Sequence, residues 1–335
     1  MMYLENDSLR IQFPNLHPNA GIEISFQRTL RLPDNNQVHH LPPSLGRFPL
    51  RHIADYDLNE NDRLKKRGGL LMPMYQADAL WMSFSDLCVE RGPVYPIALK
   101  ISTGKTCTVS GENWSETLNR DPQDYLVIPN QPWLDGYNVG DDIVRQFVAA
   151  PLGQGYTVAE QINPTGATGG IQIKAFPMKL EHYQRLIRAR EHMNYHMSEC
   201  VVYKVSDKSE MGLGAGGTMR QKIYEDHYDF DVWDLRNYER CFVTIANAED
   251  WIEITGEVPP HSPLSASDYT DAGLPWFDIF DGDKAAIKGA EKLGKIKSIK
   301  NVVPKPAENF WPEDEPVMGA KVKTLGHKVI SNGSW

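Results

Sequence analysis

The sequence predicts an α+β fold: a strand-rich, sandwich- or barrel-like half over residues 1–177 and a smaller mixed α/β part over residues 178–335. Three observations predict it. Short runs of apolar and polar residues alternating at period two recur through the first half, with Pro and Gly between most of them. Helical periodicity becomes clear only after Pro177. No clean linker divides the two parts, so they are compatible with one continuous unit as well as with two domains. A chain of 335 residues carries a prior of about two domains. It can bury roughly three quarters of its unfolded surface without a disulfide or a structural metal.

The elements follow in order. GIEISFQRTLRL (21–32) alternates around Ile22, Ile24 and Phe26, and stops at the turn-forming Pro33-Asp34-Asn35-Asn36. GRFPLRHI and the two short runs within residues 68–84 extend the strand pattern across a charged connection from Glu60 to Arg67. YPIALKI-STGK-TCTVSG (95–111) reads as a hairpin, two β-prone runs flanking the four-residue turn STGK. DYLVIP (124–129), IVRQFVAAPL (143–152) and GGIQIKAF (169–176) continue the series. Residues 178–198 carry one broad apolar face at helical spacing, followed by a strand at 200–205 and a Gly-rich loop at 211–217. CFVTIANA (241–248) is a strand, and the helical turn after it closes at Gly256. Residues 284–300 predict a Lys-rich amphipathic helix whose stripe (Ile287, Ala290, Leu293, Ile296, Ile299) docks on the core.

Composition excludes several classes. With 35 basic against 44 acidic side chains the net charge is −9, which disfavours nucleic acid and anionic membrane as partners. Cys88, Cys107, Cys200 and Cys241 form no CxxC pair, so neither a disulfide scaffold nor a zinc ribbon is expected. The N-terminus lacks a basic start followed by an apolar run, and no stretch reaches the roughly 18 apolar residues of a membrane span. A soluble, cytoplasmic protein is expected.

Four candidate sites stand out, each beside a plainer reading. STGKT (102–106) ends like a phosphate-binding loop, but position 99 is Leu and a strand follows, so the hairpin turn is preferred. Gly212, Gly214 and Gly217 match GxGxxG, and with Arg220 and Lys222 offer an anion site for a phosphorylated ligand. The match stands apart from the preceding strand and from any repeated βαβ pattern, which favours a loop. His192, His196 and Cys200 would share one side of a continuous helix, a spacing suited to a divalent metal; the plainer reading is two half-exposed histidines on a surface helix, with Cys200 already in the next strand. Residues 225–234 crowd Glu225, Asp226, Asp229, Asp231 and Asp234 around His227, as a cation or catalytic site would require. Tyr228, Phe230 and Trp233 between them equally suit a solvated loop anchored to the core.

Several phrases together resemble a family of uncharacterised conserved proteins from bacteria and some fungi. They are FQRTLRLPD (26–34), LGRFPLR (45–51), DPQDYLVIPNQPWLDG (121–136), VRQFVAAPLGQGYTVAEQ (144–161), MRQKIYED (219–226) and DAGLPWFD (271–278). The resemblance spans most of the chain and implies one architectural unit; it implies no activity, ligand or catalytic residue. No nucleophile elbow or cysteine-nucleophile signature is present. The leading expectation is therefore a binding or assembly protein, with a protein partner or a second copy of itself. A metal-assisted hydrolase using the Asp/His residues is the alternative, and phosphorylated-ligand binding at the Gly-rich segment the third.

Overall fold

The alternation at residues 21–32 becomes a strand that organises the first half of the sheet. In the computed structural model, which describes residues 1–35, 37–59, 63–87, 93–140, 142–165, 168–190, 211–259, 269–270, 275–279, 285–302 and 321–325, β1 (Met2–Glu5), β2 (Ser8–Gln12) and β3 (Gly21–Thr29) form an antiparallel meander. Ile22, Ile24 and Phe26 of β3 are fully buried. The short β4 (Val38–His39), β5 (Ser44–Arg47) and β6 (Arg51–His52) follow, then α1 (Arg63–Arg67) and β7 (Leu70–Pro73). β8 (Ala79–Asp86) runs antiparallel along β3 from Ile22–Asp86 to Thr29–Ala79.

The predicted hairpin at 95–111 is present as β9 (Ile97–Thr103) and β10 (Thr106–Cys107). Its turn is the two residues Gly104 and Lys105, with φ of 56° and 68°, shorter than the expected four because Ser102 and Thr103 stay in the ladder, opposite Cys107 and Thr106. Positive φ at both positions gives the turn whose twist matches that of the flanking strands. β11 (Leu126–Ile128) pairs with β9, and β12 (Trp133–Leu134) with β8. β13 (Gly136–Gly140) and β14 (Ile143–Pro151) make a second hairpin. β15 (Ile171–Pro177), β16 (Met211–Arg220) and β17 (Glu239–Ala246) complete the main sheet.

The pairings bend this sheet into a barrel-like circuit. β15 lies between β9 and β17, and β14 lies between β16 on one edge and β13 and β8 on the other. β16 meets β17 at Met211–Ile245, and the Asn138 amide donates to the Thr108 carbonyl at 3.0 Å, bringing β13 back to the first hairpin. Leu99, Ile101, Ile173, Phe147 and Leu213 fill the core. Tyr137 sits among them, its hydroxyl bonded to Thr103 Oγ1 at 2.6 Å and donating to the Leu213 carbonyl at 3.0 Å. The ladder crosses residue 177 without a break, because β14 and β15 both pair with strands that follow it. The fold is thus α+β, strand-rich with few helices.

Helices decorate this sheet. α2 (Val158–Ile162) is started by a capping box between Thr157 and Glu160. α3 (Leu180–Arg190) is the described part of the helix predicted over 178–198, and buries Tyr183 against the Tyr95 ring, centroids 4.1 Å apart. α4 (Ala248–Thr255) ends at Gly256 with φ of 70°, as its sequence requires. β18 (Pro275–Ile279) and β19 (Lys321–Leu325) form a separate parallel pair.

Two expectations are corrected. The Gly-rich segment is not a loop but the interior of β16, and Gly212, Gly214 and Gly217 are absent from the glycines with positive φ. They are small because neighbours lie close. A Cβ at Gly212 would meet Thr157 Cγ2 at 2.7 Å, one at Gly214 would meet Ile299 Cδ1 at 2.7 Å, and one at Gly217 would meet the Pro33 carbonyl oxygen at 2.6 Å. Residues 284–300 are not one helix. Over the described part they form an extended strap, paired with residues 223–225, that leads into α5 (Glu291–Gly294) and α6 (Ile299–Val302). The predicted stripe does dock: Ala290, Leu293, Ile296 and Ile299 are buried. Gly289 breaks the helix because the strap must cross Gly140, where a Cβ would fall 1.9 Å from the Gly140 Cα.

Segment 221–226 is held by side chains rather than by a strand partner alone. Gln131 accepts the Tyr224 amide at 3.0 Å and donates to the Lys222 carbonyl at 3.2 Å. Gln123 accepts the Asp226 amide at 2.9 Å and donates to the Tyr224 carbonyl at 3.2 Å. Gln221 answers by accepting the Asp135 amide at 2.9 Å, and Gln146 accepts the Leu32 amide at 2.8 Å while donating to the Leu30 carbonyl at 2.7 Å. A primary amide reproduces the donor and acceptor of a peptide unit, so each buried glutamine substitutes for a rung of ladder. Beside them Asp135 is buried and accepts from Trp133 Nε1 at 2.6 Å. Burial pushes its carboxyl up to about 7, against the opposing pull of that indole hydrogen bond.

Candidate functional site

The strap and the glutamine-held segment enclose a cleft of about 620 Å³. One wall is the end of the first hairpin with residues 120–123, a second is Glu225 and Asp226, and the third is the strap from Ile287 to Lys292. Gly111, at φ of 71°, lets the hairpin end approach the strap: a Cβ there would lie 3.0 Å from Leu293 Cγ.

The floor of this cleft is built on Asp226. Its Oδ2 accepts from Tyr125 Oη at 2.6 Å and Trp233 Nε1 at 2.9 Å, and its Oδ1 accepts the Tyr228 amide at 2.9 Å. Burial, then the hydrogen bond to Asp226, raises the Tyr125 hydroxyl far above its ordinary range, so it stays a donor. Arg120 clamps the same corner, donating to the Tyr228 carbonyl at 2.6 Å and the Asp226 carbonyl at 3.3 Å. Other charges are committed: Lys292 pairs across the cleft mouth with Glu112, and Glu291 pairs with Lys295 along its own helix. Among the described residues, the side chains of Asp121, Glu225 and Lys288 carry neither an ion pair nor a hydrogen bond. The cleft therefore presents fixed structure below and uncommitted charge of both signs above.

The predicted site residues fall as follows. His227 is exposed, with Nδ1 2.7 Å from Asn130 Nδ2 and its ring 3.9 Å from that of Tyr228. Asp229 and Asp231 are exposed on either side of a short 3-10 turn at Phe230–Val232. Asp234 Oδ1 accepts the Arg236 and Asn237 amides at 3.2 and 3.3 Å. Among the described residues no three His, Cys, Asp or Glu side chains gather in a group able to hold a metal ion. Trp233 is buried and Tyr228 and Phe230 pack against the core, so these aromatics anchor the segment. His192, His196 and Cys200 lie outside the described residues. Gly212, Gly214 and Gly217 are filled by packing on β16, Arg220 is exposed at its end, and Lys222 lies 3.9 Å from Asp142.

Asp121 and Arg120 carry no local sequence signal; only the fold brings them opposite the strap. Lys288 is visible in the sequence as part of a basic run, but its place on the cleft wall depends on the strap being extended.

The chain matches no protein-family model, no curated protein and no solved structure. Among the described residues no helix is long and apolar enough to cross a membrane.

Proposed function

We propose that the protein is a binding protein whose ligand enters the cleft between the first hairpin, residues 225–226 and the strap. The supporting observation is the set of uncommitted charges on its walls, Asp121 and Glu225 of one sign and Lys288 of the other. A cleft of about 620 Å³ falls in the size range of small-ligand sites, roughly 300–1,000 Å³. Charge of both signs over a rigid hydrogen-bonded floor suits a polar ligand that itself carries both signs, as a short peptide does. The floor groups are already satisfied by one another, so they position the walls rather than react.

Isothermal titration with three tripeptide pools, net cationic, net anionic and mixed-charge, tests this. The mixed pool should bind saturably, and Glu225→Gln combined with Lys288→Gln should weaken it by about tenfold or more. Absence of saturable heat from every pool, or equal binding to the double variant, would overturn the reading.

A further inference from the structure

A second set of cations lies on the outer face of the sheet, under the loop that follows the first hairpin. In antiparallel pairs, residues directly opposite project to the same face. Lys100, Lys174 and Arg240 are such a row across β9, β15 and β17. The next row over contains Ser102 and Gln172. On the inner face the same strands place Leu99, Ile101, Ile173 and Ala175, so the polar residues are a deliberate outer layer and not a misplaced core.

That layer is covered. Lys100 is 0% and Lys174 1% exposed. Lys100 Nζ donates to Asp124 Oδ2, Ser115 Oγ and the Thr117 carbonyl, each at 2.6 Å. Lys174 Nζ donates to the Glu116 carbonyl and to Glu116 Oε2 at 2.8 Å, and lies 3.7 Å from the centroid of the Tyr238 ring. The covering loop, residues 113–117, is itself largely exposed, and the Glu116 side chain is 63% exposed. Glu116 Oε1 accepts from Trp114 Nε1 at 3.0 Å.

Two buried polar groups beneath the loop remain unmatched. Ser102 Oγ and Gln172 Nε2 have no hydrogen-bond partner among the described residues, although Gln172 Oε1 accepts the Lys105 amide at 2.7 Å. A buried donor without a partner is destabilising, so its persistence calls for an explanation. Asp124 balances Lys100 from within the fold. Among the described residues Lys174 is ion-paired only with a carboxylate on an exposed loop, and the Arg240 side chain makes no ion pair or hydrogen bond, its charge acting on that same Glu116 carboxylate.

We infer that this face is a binding site for a small oxyanion, a phosphate or carboxylate group, recognised by Lys174, Arg240, Ser102 and Gln172, and that Glu116 on the loop occupies it as an internal surrogate. The external anion takes the place of the Glu116 carboxylate on Lys174, reaches the two buried donors that Glu116 does not satisfy, and lifts residues 113–117. The site is separate from the cleft, and the proposal does not rest on a ligand being bound there.

Thermal unfolding of the full chain with inorganic phosphate or succinate, against sodium chloride at equal ionic strength, tests the inference. An anion that must displace Glu116 binds with an affinity reduced by the fraction of open loop. Glu116→Gln should therefore tighten binding by about tenfold or more. Arg240→Gln, at an exposed position, should weaken it, as should Lys174→Met where that variant folds. Phosphate and succinate responses separate the two sources of the oxyanion. Hydrogen exchange gives an independent readout: the Trp114 amide, bonded to the Lys105 carbonyl at 2.8 Å, should exchange faster when the anion is bound. Equal responses to phosphate, succinate and chloride, or no gain from Glu116→Gln, would overturn the proposal and leave Lys174–Glu116 as a structural pin.

Discussion

Asp135 shows how one buried group sets a pH dependence for the whole fold. It keeps its proton in the folded chain up to about pH 7, against an ordinary value of 3.8, because burial disfavours the charged form. Between those values the folded state binds a proton that the unfolded state releases. The stability it contributes is complete at the acid end and falls by about 1.4 kcal/mol per pH unit as pH rises towards 7. Asp135→Asn keeps the acceptor for Trp133 and has no proton to lose. Its melting temperature should match that of the wild type near pH 4 and exceed it near pH 8. Parallel melting profiles across that range would show that Asp135 is solvated. Nothing near Asp135 in the sequence marks it as buried, and the same is true of Gln123, Gln131, Gln146 and Gln221. In a sequence a glutamine that replaces a ladder rung looks like any surface glutamine, since its partners lie far away: Gln131 meets Tyr224, and Gln146 meets Leu30.

At the scale of elements, local chemistry was legible where it decides the structure by itself. The Gly104-Lys105 turn, the alternation of β3 and β15, and the Gly256 stop of α4 all follow from neighbouring residues. The strap is the opposite case. Its apolar spacing fits a helix, but Leu293 and Ile299 dock in separate places, against Gly111 and Gly214, and Gly289 must pass over Gly140. These contacts join residues more than eighty positions apart, and they outweigh local propensity. Gly289→Ala should therefore destabilise the protein by more than about 2 kcal/mol, through overpacking against the Gly140 backbone. Denaturant unfolding measures it; a change within about 0.5 kcal/mol would mean the strap yields easily. The GxGxxG pattern was visible but ambiguous, since glycine serves close packing in a strand as readily as phosphate in a loop.

At the scale of the molecule, the described sheet does not respect a division at residue 177. β14 needs β16 and β15 needs β17 to complete their ladders, so residues 1–177 alone would expose two long edges. Calorimetry of the full chain should show this sheet melting in one transition, and a 1–177 fragment should lack cooperative unfolding. Two separate transitions, one reproduced by the fragment, would establish two domains instead. The candidate cleft was only partly legible for the same reason: Glu225 and Lys288 stood in notable clusters, whereas Asp121 gains meaning only from the walls around it. The chain between β10 and β11 has a further consequence. Its inner side, at Ser115, Glu116 and Asp124, holds down the two buried lysines, and its outer side, at Glu112, Arg120 and Asp121, is a wall of the cleft. One stretch of backbone thus serves two surfaces, and the work spent shifting it at one is felt at the other. Were both proposed sites filled, occupancy on either side would bias affinity on the other by the same factor, reciprocally, with a single hairpin extension as the lever.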